Sequence, residues 1–289
     1  MKGLSNGFYI LVAIVSVLWS LLSTFEMEKT PDNSVRLGKK LTEISILELN
    51  SSMLSSSENR RKLRSLHKFT IKSDSKIRKR GGSGTAFYLG NNFWVTARHV
   101  IDQCPMVYMA NKGKNALIER IFLHPNSDLA IFRHVKENDT PFFNLNQGEI
   151  KDVFSSGFPG GSPGDIAIKF RGFAAIENKE YNIYEKGLIF TITRRDPYNL
   201  QSIGGLSGGP AYSKNNNLKG VLVAENVRRS LAIVVDMSSL RSLLLSVDST
   251  LSSISSDKPL SYEVDENNFA LVGKKIRDQS SIRQLFCVL

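Results

Sequence analysis

Hydrophobic and polar residues alternate over short stretches along most of the chain between residues 81 and 236. The stretch TAFYLGNNFWVTA (85–97) holds two such runs around a Gly-Asn-Asn turn, and LAIFRHV (129–135) holds another. A period of two is typical of β-strands with one buried face. Further strands are predicted in MVYMANKGKNALIERIFLH, DVFSSGF, DIAIKFRGFAAI, KGLIFTIT, KGVLVAEN and SLAIVVD. Many short strands in two groups of similar length predict a pair of antiparallel barrels or a sandwich.

The amino-terminal residues depart from this strand pattern. Residues 8–25 (FYILVAIVSVLWSLLSTF) carry no charge and are about as long as the shortest helices that cross a bilayer. We expect residues 1–27 to form an uncleaved transmembrane anchor, with a cleaved signal segment as the alternative. The basic residues that follow favour a cytoplasmic location under the positive-inside rule, whereas large domains translocate despite such flanks. The orientation therefore stays open.

A stalk or linker is predicted over residues 28–67, and it runs into a strongly basic stretch. The chain has a net charge of +11, and residues 60–80 hold most of this excess. This stretch either contacts lipid headgroups or nucleic acid, or forms solvated surface followed by a first strand. Alternation from Phe69 to Ile77 favours the second interpretation, and no nucleic-acid partner is expected.

Two cysteines, Cys104 and Cys287, are too few for a disulfide scaffold or for a zinc site built from thiolates. One disulfide and two free thiols both fit the sequence. Residues 248–289 are predicted to be a carboxyl-terminal tail containing a short helix within 268–289. No cofactor and no metal ion are expected.

Candidate chemistry centres on GGLSGGPAYSK (204–214), in which four glycines and a proline surround Ser207. Such a segment is either a simple turn or a loop that holds a hydroxyl beside a backbone anion pocket. A serine nucleophile needs a base and a carboxylate that orients the base. Of the four histidines, His99 directly follows an apolar strand in WVTARHV. The other three are more typical of surface or core positions.

Three segments, in order, resemble the trypsin-like serine peptidases of the chymotrypsin fold, in the bacterial and viral branches that lack most animal disulfides. GSGTAFYLGNNFWVTARHV is similar to the strand pair that ends in Thr-Ala-x-His. SDLAIFR is similar to the segment with the triad acid, and GGLSGGPA to Gly-x-Ser-Gly-Gly-Pro. The resemblance covers residues 68–247 and implies an all-β domain of two antiparallel six-stranded β-barrels.

The resemblance also implies a role for each matching residue. Ser207 is expected to be the nucleophile, His99 the general base and then general acid, and Asp128 the carboxylate that fixes the imidazole. The backbone N–H groups of Gly205 and Ser207 are expected to form the oxyanion hole. Asp102, three residues after His99, is the competing carboxylate, and we expect it to point elsewhere.

By the same resemblance, Gln201 is expected near the base of the pocket for the residue before the scissile bond. Val223, Ala224 and Glu225 are expected on an edge strand that pairs with substrate by β-augmentation. Glu225 either points into the pocket or faces solvent at its rim. Because Gln201 is not acidic, no trypsin-like preference for lysine or arginine is expected.

Together these expectations describe a membrane-tethered serine endopeptidase acting on proteins or peptides. A single-pass protein with its catalytic domain outside the cytoplasm is expected. A catalytically silent barrel that binds proteins at the membrane is the alternative function, and a basic adaptor for membranes or nucleic acid is a third. Reactivity of Ser207 separates the first two.

Overall fold

The strand pattern predicted from the sequence recurs in the computed structural model, which describes residues 63–71, 82–111, 113–135, 141–145, 149–247 and 262–288. The predicted anchor in residues 1–27 and most of the stalk lie outside these ranges. Within them, no helix has both the length and the hydropathy required to cross a membrane.

The described ranges contain fourteen strands, three α-helices and two short 3₁₀ helices, Pro159–Gly161 and Val227–Arg229. The strands are β1 Lys68–Ile71, β2 Gly82–Gly90, β3 Phe93–Thr96, β4 Met106–Met109, β5 Ala116–Leu117, β6 Ile121–Leu123, β7 Ala130–Arg133, β8 Asp152–Gly157, β9 Gly164–Asn178, β10 Ile183–Asp196, β11 Pro210–Ser213, β12 Leu218–Asn226, β13 Leu231–Asp236 and β14 Ile282–Val288. The helices are α1 Arg98–Ile101, α2 Met237–Val247 and α3 Phe269–Asp278.

The later strands form a closed six-stranded barrel. Its order is β9-β10-β13-β12-β11-β8, and β8 closes the ring by pairing with the first half of β9. All pairs within the ring are antiparallel, and β1 adds to the far end of β9 in parallel. Inward residues from these strands form a mainly aliphatic cluster that also contains Phe190. The prediction of a six-stranded antiparallel barrel is confirmed for this half.

The earlier strands form an open sheet instead of a second closed barrel. Its order is β5-β4-β14-β2-β3-β7-β6, and in the described ranges the edge strands β5 and β6 do not pair with each other. The prediction of a second six-stranded barrel is therefore wrong: this sheet has seven strands and stays open. The edge strands are only two and three residues long, which leaves too few backbone groups to close the ring.

The carboxyl-terminal segment contributes to both halves of the fold. The helix predicted within residues 268–289 ends at Asp278, and β14 then inserts between β2 and β4 of the open sheet. Residues 282–287 pair with β2 and residues 285–288 pair with β4, and Ile282 and Leu285 are the buried residues of this strand. Helix α3 docks on the barrel, where Arg277 donates two hydrogen bonds to the buried carboxylate of Asp165 at 2.8 and 2.7 Å. A domain that ended at Val247 would lack β14.

Cys104 and Cys287 form a disulfide, which settles the alternative that the sequence left open. Their Cα atoms are 5.5 Å apart, and 183 positions separate them in the chain. The bond ties β14 to the segment directly after α1. It therefore closes a long loop around most of the described structure.

We expect a Cys104→Ser/Cys287→Ser variant to lose about 2–5 kcal/mol of unfolding free energy, because the unfolded chain regains the entropy of the open loop. Urea unfolding without reductant measures this loss. Wild-type protein in reductant should match the variant, whereas reductant should not affect the variant itself. Equal urea midpoints for oxidised wild type and the variant would contradict the prediction.

Candidate active site

His99 and Asp128 meet because β3 and β7 are antiparallel neighbours. The last residue of β3, Thr96, pairs with Ala130 at the start of β7. The residues just after β3 and just before β7 therefore lie at the same end of the sheet. The His99 Nδ1 atom is 2.8 Å from Asp128 Oδ2, and the His99 backbone N–H donates to Asp128 Oδ1 at 2.9 Å. Both oxygens of the carboxylate thus contact His99.

Asp128 is buried, whereas His99 is partly open to the cavity. The exposed fraction is 1% for the Asp128 side chain and 27% for that of His99. The competing carboxylate, Asp102, accepts a hydrogen bond from Arg98 Nε at 2.8 Å. The structure therefore pairs Asp102 with Arg98 and Asp128 with His99.

The loop that carries Ser207 is fixed on both sides by backbone hydrogen bonds. The Thr85 N–H donates to the Ser207 carbonyl at 2.8 Å, and the Gly208 N–H donates to the Leu222 carbonyl at 2.7 Å. Gly205 and Gly208 have φ values of +98° and +87°, which favour glycine. A Cβ on Gly208 would collide with the Thr85 carbonyl oxygen. The glycines thus allow this loop to pack against β2.

Two backbone donors in this loop have no protein acceptor. In the described part of the chain, the N–H groups of Gly205 and Ser207 donate to no carbonyl or side chain. The carbonyls beside them are occupied instead: that of Gly204 accepts from the Gly160 N–H, and that of Gly205 accepts from Thr85 Oγ1. The loop therefore presents free N–H groups of the kind that bind a developing oxyanion.

His99, Ser207, Gly204 and Gly205 line one cavity of about 1100 Å³. Residues 223–226, at the end of β12, also line this cavity. Strand β11 pairs with β12 only as far as Val221, so beyond Leu222 the strand has a partner on one side, β13. The open side of β12 therefore offers backbone groups to an extended peptide.

Three of the four predicted substrate-contacting residues line the cavity, and the fourth does not. Val223, Ala224 and Glu225 line the cavity, whereas Gln201 is exposed and is not part of its lining. The Glu225 side chain, only 8% exposed, does not face solvent as a rim charge. Its carboxylate accepts from Ser202 Oγ at 2.8 Å, from the Ile203 N–H at 2.9 Å and from Arg195 Nη2 at 3.4 Å.

The other histidines lie outside this cavity. His124 is buried, and its Nε2 atom is 3.0 Å from Ser242 Oγ. Burial and the nearby Arg98 charge lower the pKa of His124 to about 4. His134 also has a lowered pKa, because of partial burial and the Arg283 charge. His67 packs edge-on against Phe69. All three fit the surface or core positions expected for them.

Glu185 and Arg195 contact the site but were not singled out from the sequence. Glu185 lies on β10 and reaches the Asp128 loop, and Arg195 holds Glu225. One sequence signal exists for Glu185: strand alternation places it on the same face as the inward-pointing Ile183. A charged residue at an inward position is uncommon unless it is paired.

Residues 84–221 match a family model described as the trypsin-like peptidase domain. This match supports peptidase activity for that part of the chain. Nothing matches among curated proteins. None of the comparisons assigns a role to an individual residue.

Several solved structures are similar at low identity. The active form of the Rv3671c protease from M. tuberculosis is 18% identical, with a TM-score of 0.48, over 62% of this chain and 76% of that one. The MamO protease domain from Magnetospirillum magneticum is 16% identical, with a TM-score of 0.41, over 56% and 93%. The serine protease of a human pathogenic astrovirus is 15% identical, with a TM-score of 0.40, over 53% and 82%.

Proposed function

We propose that this chain is a membrane-tethered serine endopeptidase with His99, Asp128 and Ser207 as its catalytic triad. The observation that carries the proposal is the hydrogen bond between the buried Asp128 and His99, which lines the same cavity as Ser207. In this proposal, the free N–H groups of Gly205 and Ser207 form the oxyanion hole. The family match over residues 84–221 supports the peptidase class.

In the proposed reaction, Ser207 Oγ attacks the peptide carbonyl carbon while its proton passes to His99 Nε2. Asp128 accepts from His99 Nδ1–H, so Nε2 is left to act as the base. The carbonyl oxygen becomes an oxyanion held by the two N–H groups. Collapse breaks the C–N bond, and His99 gives its proton to the departing amine. Water then attacks the acyl-enzyme, His99 takes its proton, and Ser207 regains a proton as the carboxylic product leaves.

Substrate is proposed to bind as an added strand along residues 223–226, with the side chain before the scissile bond near Ile203. The Glu225 carboxylate is already engaged by Arg195, which offsets its charge. A lysine or arginine side chain entering there would approach the Arg195 guanidinium as well. The proposal therefore keeps the expectation that basic residues are not preferred, although Gln201 lies outside the cavity lining.

The proposed location is a single-pass membrane protein whose peptidase domain lies outside the cytoplasm. The disulfide between Cys104 and Cys287 supports this location, because such bonds persist in oxidising compartments. The proposed anchor, residues 1–27, lies outside the described residues.

We expect full-length protein in detergent to form a single fluorophosphonate adduct on Ser207. Ser207 Oγ displaces fluoride from phosphorus and His99 takes the hydroxyl proton, so both residues are required. Peptide mass spectrometry locates the adduct. It should vanish in Ser207→Ala and in His99→Ala.

Ser83→Ala is the matched control, because Ser83 is a second serine that lines the cavity and has no role in the proposed reaction. It should retain the Ser207 adduct. Circular dichroism checks that every variant is folded. A folded wild-type protein without an adduct would contradict the peptidase proposal and support the silent binding barrel.

A further inference from the structure

Glu185 links the barrel to the loop that carries Asp128. Its carboxylate accepts from the Asp128 N–H at 3.0 Å, from Ser127 Oγ at 2.6 Å and from Ser239 Oγ at 3.2 Å. Glu185 is 5% exposed, and Ser127 and Asp128 are fully buried. One carboxylate thus joins β10, the loop before β7 and helix α2.

These contacts lie directly behind the His99–Asp128 pair. The Asp128 side chain contacts His99 with both oxygens, while its backbone N–H is fixed by Glu185. A buried N–H without an acceptor is costly, so the loop has a defined position as long as Glu185 is present. The orientation of Asp128 toward His99 therefore depends on a residue from the other sheet.

We propose that Glu185 is a positioning residue that holds Asp128 through its backbone N–H and adds a negative charge behind the His99–Asp128 pair. This inference rests on the proposed function, because it assigns Asp128 and His99 to catalysis. Glu185 itself does not contact the cavity that holds Ser207, and its effect passes through Asp128.

The charge of Glu185 changes in the pH range where such an enzyme works. Burial, together with the nearby Asp128 charge, raises the pKa of Glu185 to about 7, although three hydrogen bonds oppose this shift. The groups facing it are Asp128 and Ser127 from the loop, Ser239 from α2 and, from β9, its apolar register partner Ile176.

Two more ionisable groups lie close to the same loop. The Arg98 backbone N–H donates to the Asp128 carbonyl, and its guanidinium donates to the carbonyl of His124.

Above pH 7, ionised Glu185 favours a positive charge on His99. As the pH falls through 7, Glu185 becomes protonated and this contribution decreases gradually.

The Glu185→Gln variant tests the charge while preserving shape. Because the folded-state pKa of Glu185 lies above its usual value, protonated Glu185 favours folding, and this stabilisation is lost as pH rises toward 7. Glutamine resembles the protonated form, so the variant is expected to fold. The rate of fluorophosphonate labelling of full-length protein is measured from pH 5 to 9.

The labelling rate is expected to rise with pH to a plateau, and its rising part is called the acid limb. For Glu185→Gln we expect the plateau rate to fall about tenfold and the midpoint of the acid limb to move about 1 pH unit lower. Losing a nearby negative charge makes His99 a weaker base, which explains both changes. A folded variant with the wild-type rate and midpoint would overturn the proposal.

Asp165→Asn is the matched control, since Asp165 is also a buried carboxylate of the barrel with a raised pKa. Its partners are Arg277 and Ser156, neither of which contacts His99 or Asp128. This variant should lower stability, because it weakens the pairing with Arg277, and leave the midpoint of the acid limb unchanged. A shift of the same size in both variants would overturn the specific role of Glu185.

A second measurement needs neither labelling nor a folded Glu185 variant. In His99→Ala, the ¹⁵N shift of the Asp128 amide is followed from pH 5 to 9 by NMR. A titration with a midpoint near 7 supports the Glu185 contact, and a flat response overturns it. If wild-type protein forms no adduct, the proposed function fails, while this titration still decides the Glu185 contact.

Discussion

A His99→Ala variant is expected to hydrolyse peptides about 10⁶-fold more slowly than wild type, a loss of the size seen when a triad base is removed. His99 lies on the short helix α1, with its side chain partly open to the cavity. Alanine there removes the proton acceptor without opening a core cavity. Turnover of a fluorogenic casein, corrected for the folded fraction, measures the loss.

Residual activity in this variant is expected from the free N–H groups of Gly205 and Ser207 alone, because oxyanion stabilisation does not need the base. A His99→Ala variant that keeps more than about 1% of wild-type turnover would contradict a triad mechanism, because a general base typically contributes 10²- to 10⁴-fold alone. The same assay applied to Ser207→Ala should give a loss of similar size.

Asp128→Asn is expected to lower turnover about 10⁴-fold, whereas Asp102→Asn should change it only a few-fold. An asparagine amide at position 128 can donate to His99 Nδ1 and so favour the tautomer whose Nε2 carries a proton and cannot act as a base. Asp102 pairs with Arg98 instead of His99, which makes it the natural comparison. Turnover of the same casein substrate measures both variants.

The reverse ranking would assign the triad acid to Asp102 and overturn the pairing with Asp128. Equal small losses would show that His99 needs no carboxylate partner for its orientation. Because Asp102 contacts Arg98 at 2.8 Å, its loss also frees that guanidinium near the Asp128 loop. Unfolding curves for both variants separate this structural effect from a kinetic one.

The placement of His99 beside Asp128 could be predicted because it depends on short segments. Strand alternation located β3 and β7, and the motif resemblance located the residues at their ends. The Ser207 loop was recognisable for a similar reason, because its glycines reflect local backbone angles and a close approach to Thr85. The backbone angles are local, and the close approach to Thr85 requires a residue without a side chain, so both leave glycines in the sequence.

The path of the carboxyl-terminal segment could not be predicted in this way. The sequence around Phe269 to Asp278 is amphipathic and favours a helix, which the structure has. Nothing in residues 282–288 indicates that they enter a sheet between β2 and β4, because the pairing partners lie far away in the chain. The sequence leaves the disulfide undecided for the same reason, because Cys104 and Cys287 are 183 positions apart.

The contacts of Glu225 and Glu185 also depend on tertiary structure. The sequence leaves Glu225 either in the pocket or at a solvent-exposed rim, whereas in the structure its carboxylate accepts hydrogen bonds from Arg195, Ser202 and Ile203. Arg195 lies on β10 and Glu225 on β12, and these two strands are separated in the sheet by β13. Sequence alternation can identify an inward charge but cannot identify its partner.

The insertion of β14 has a consequence for the order of events during synthesis. Strand β4 leaves the ribosome long before β14, and at ~5–20 residues per second the interval is on the order of ten seconds or more. During that time β2 and β4 lack the strand that separates them, and Cys104 lacks its partner. A nascent chain therefore cannot complete the part of the cavity wall that Cys287 forms until β14 has been made.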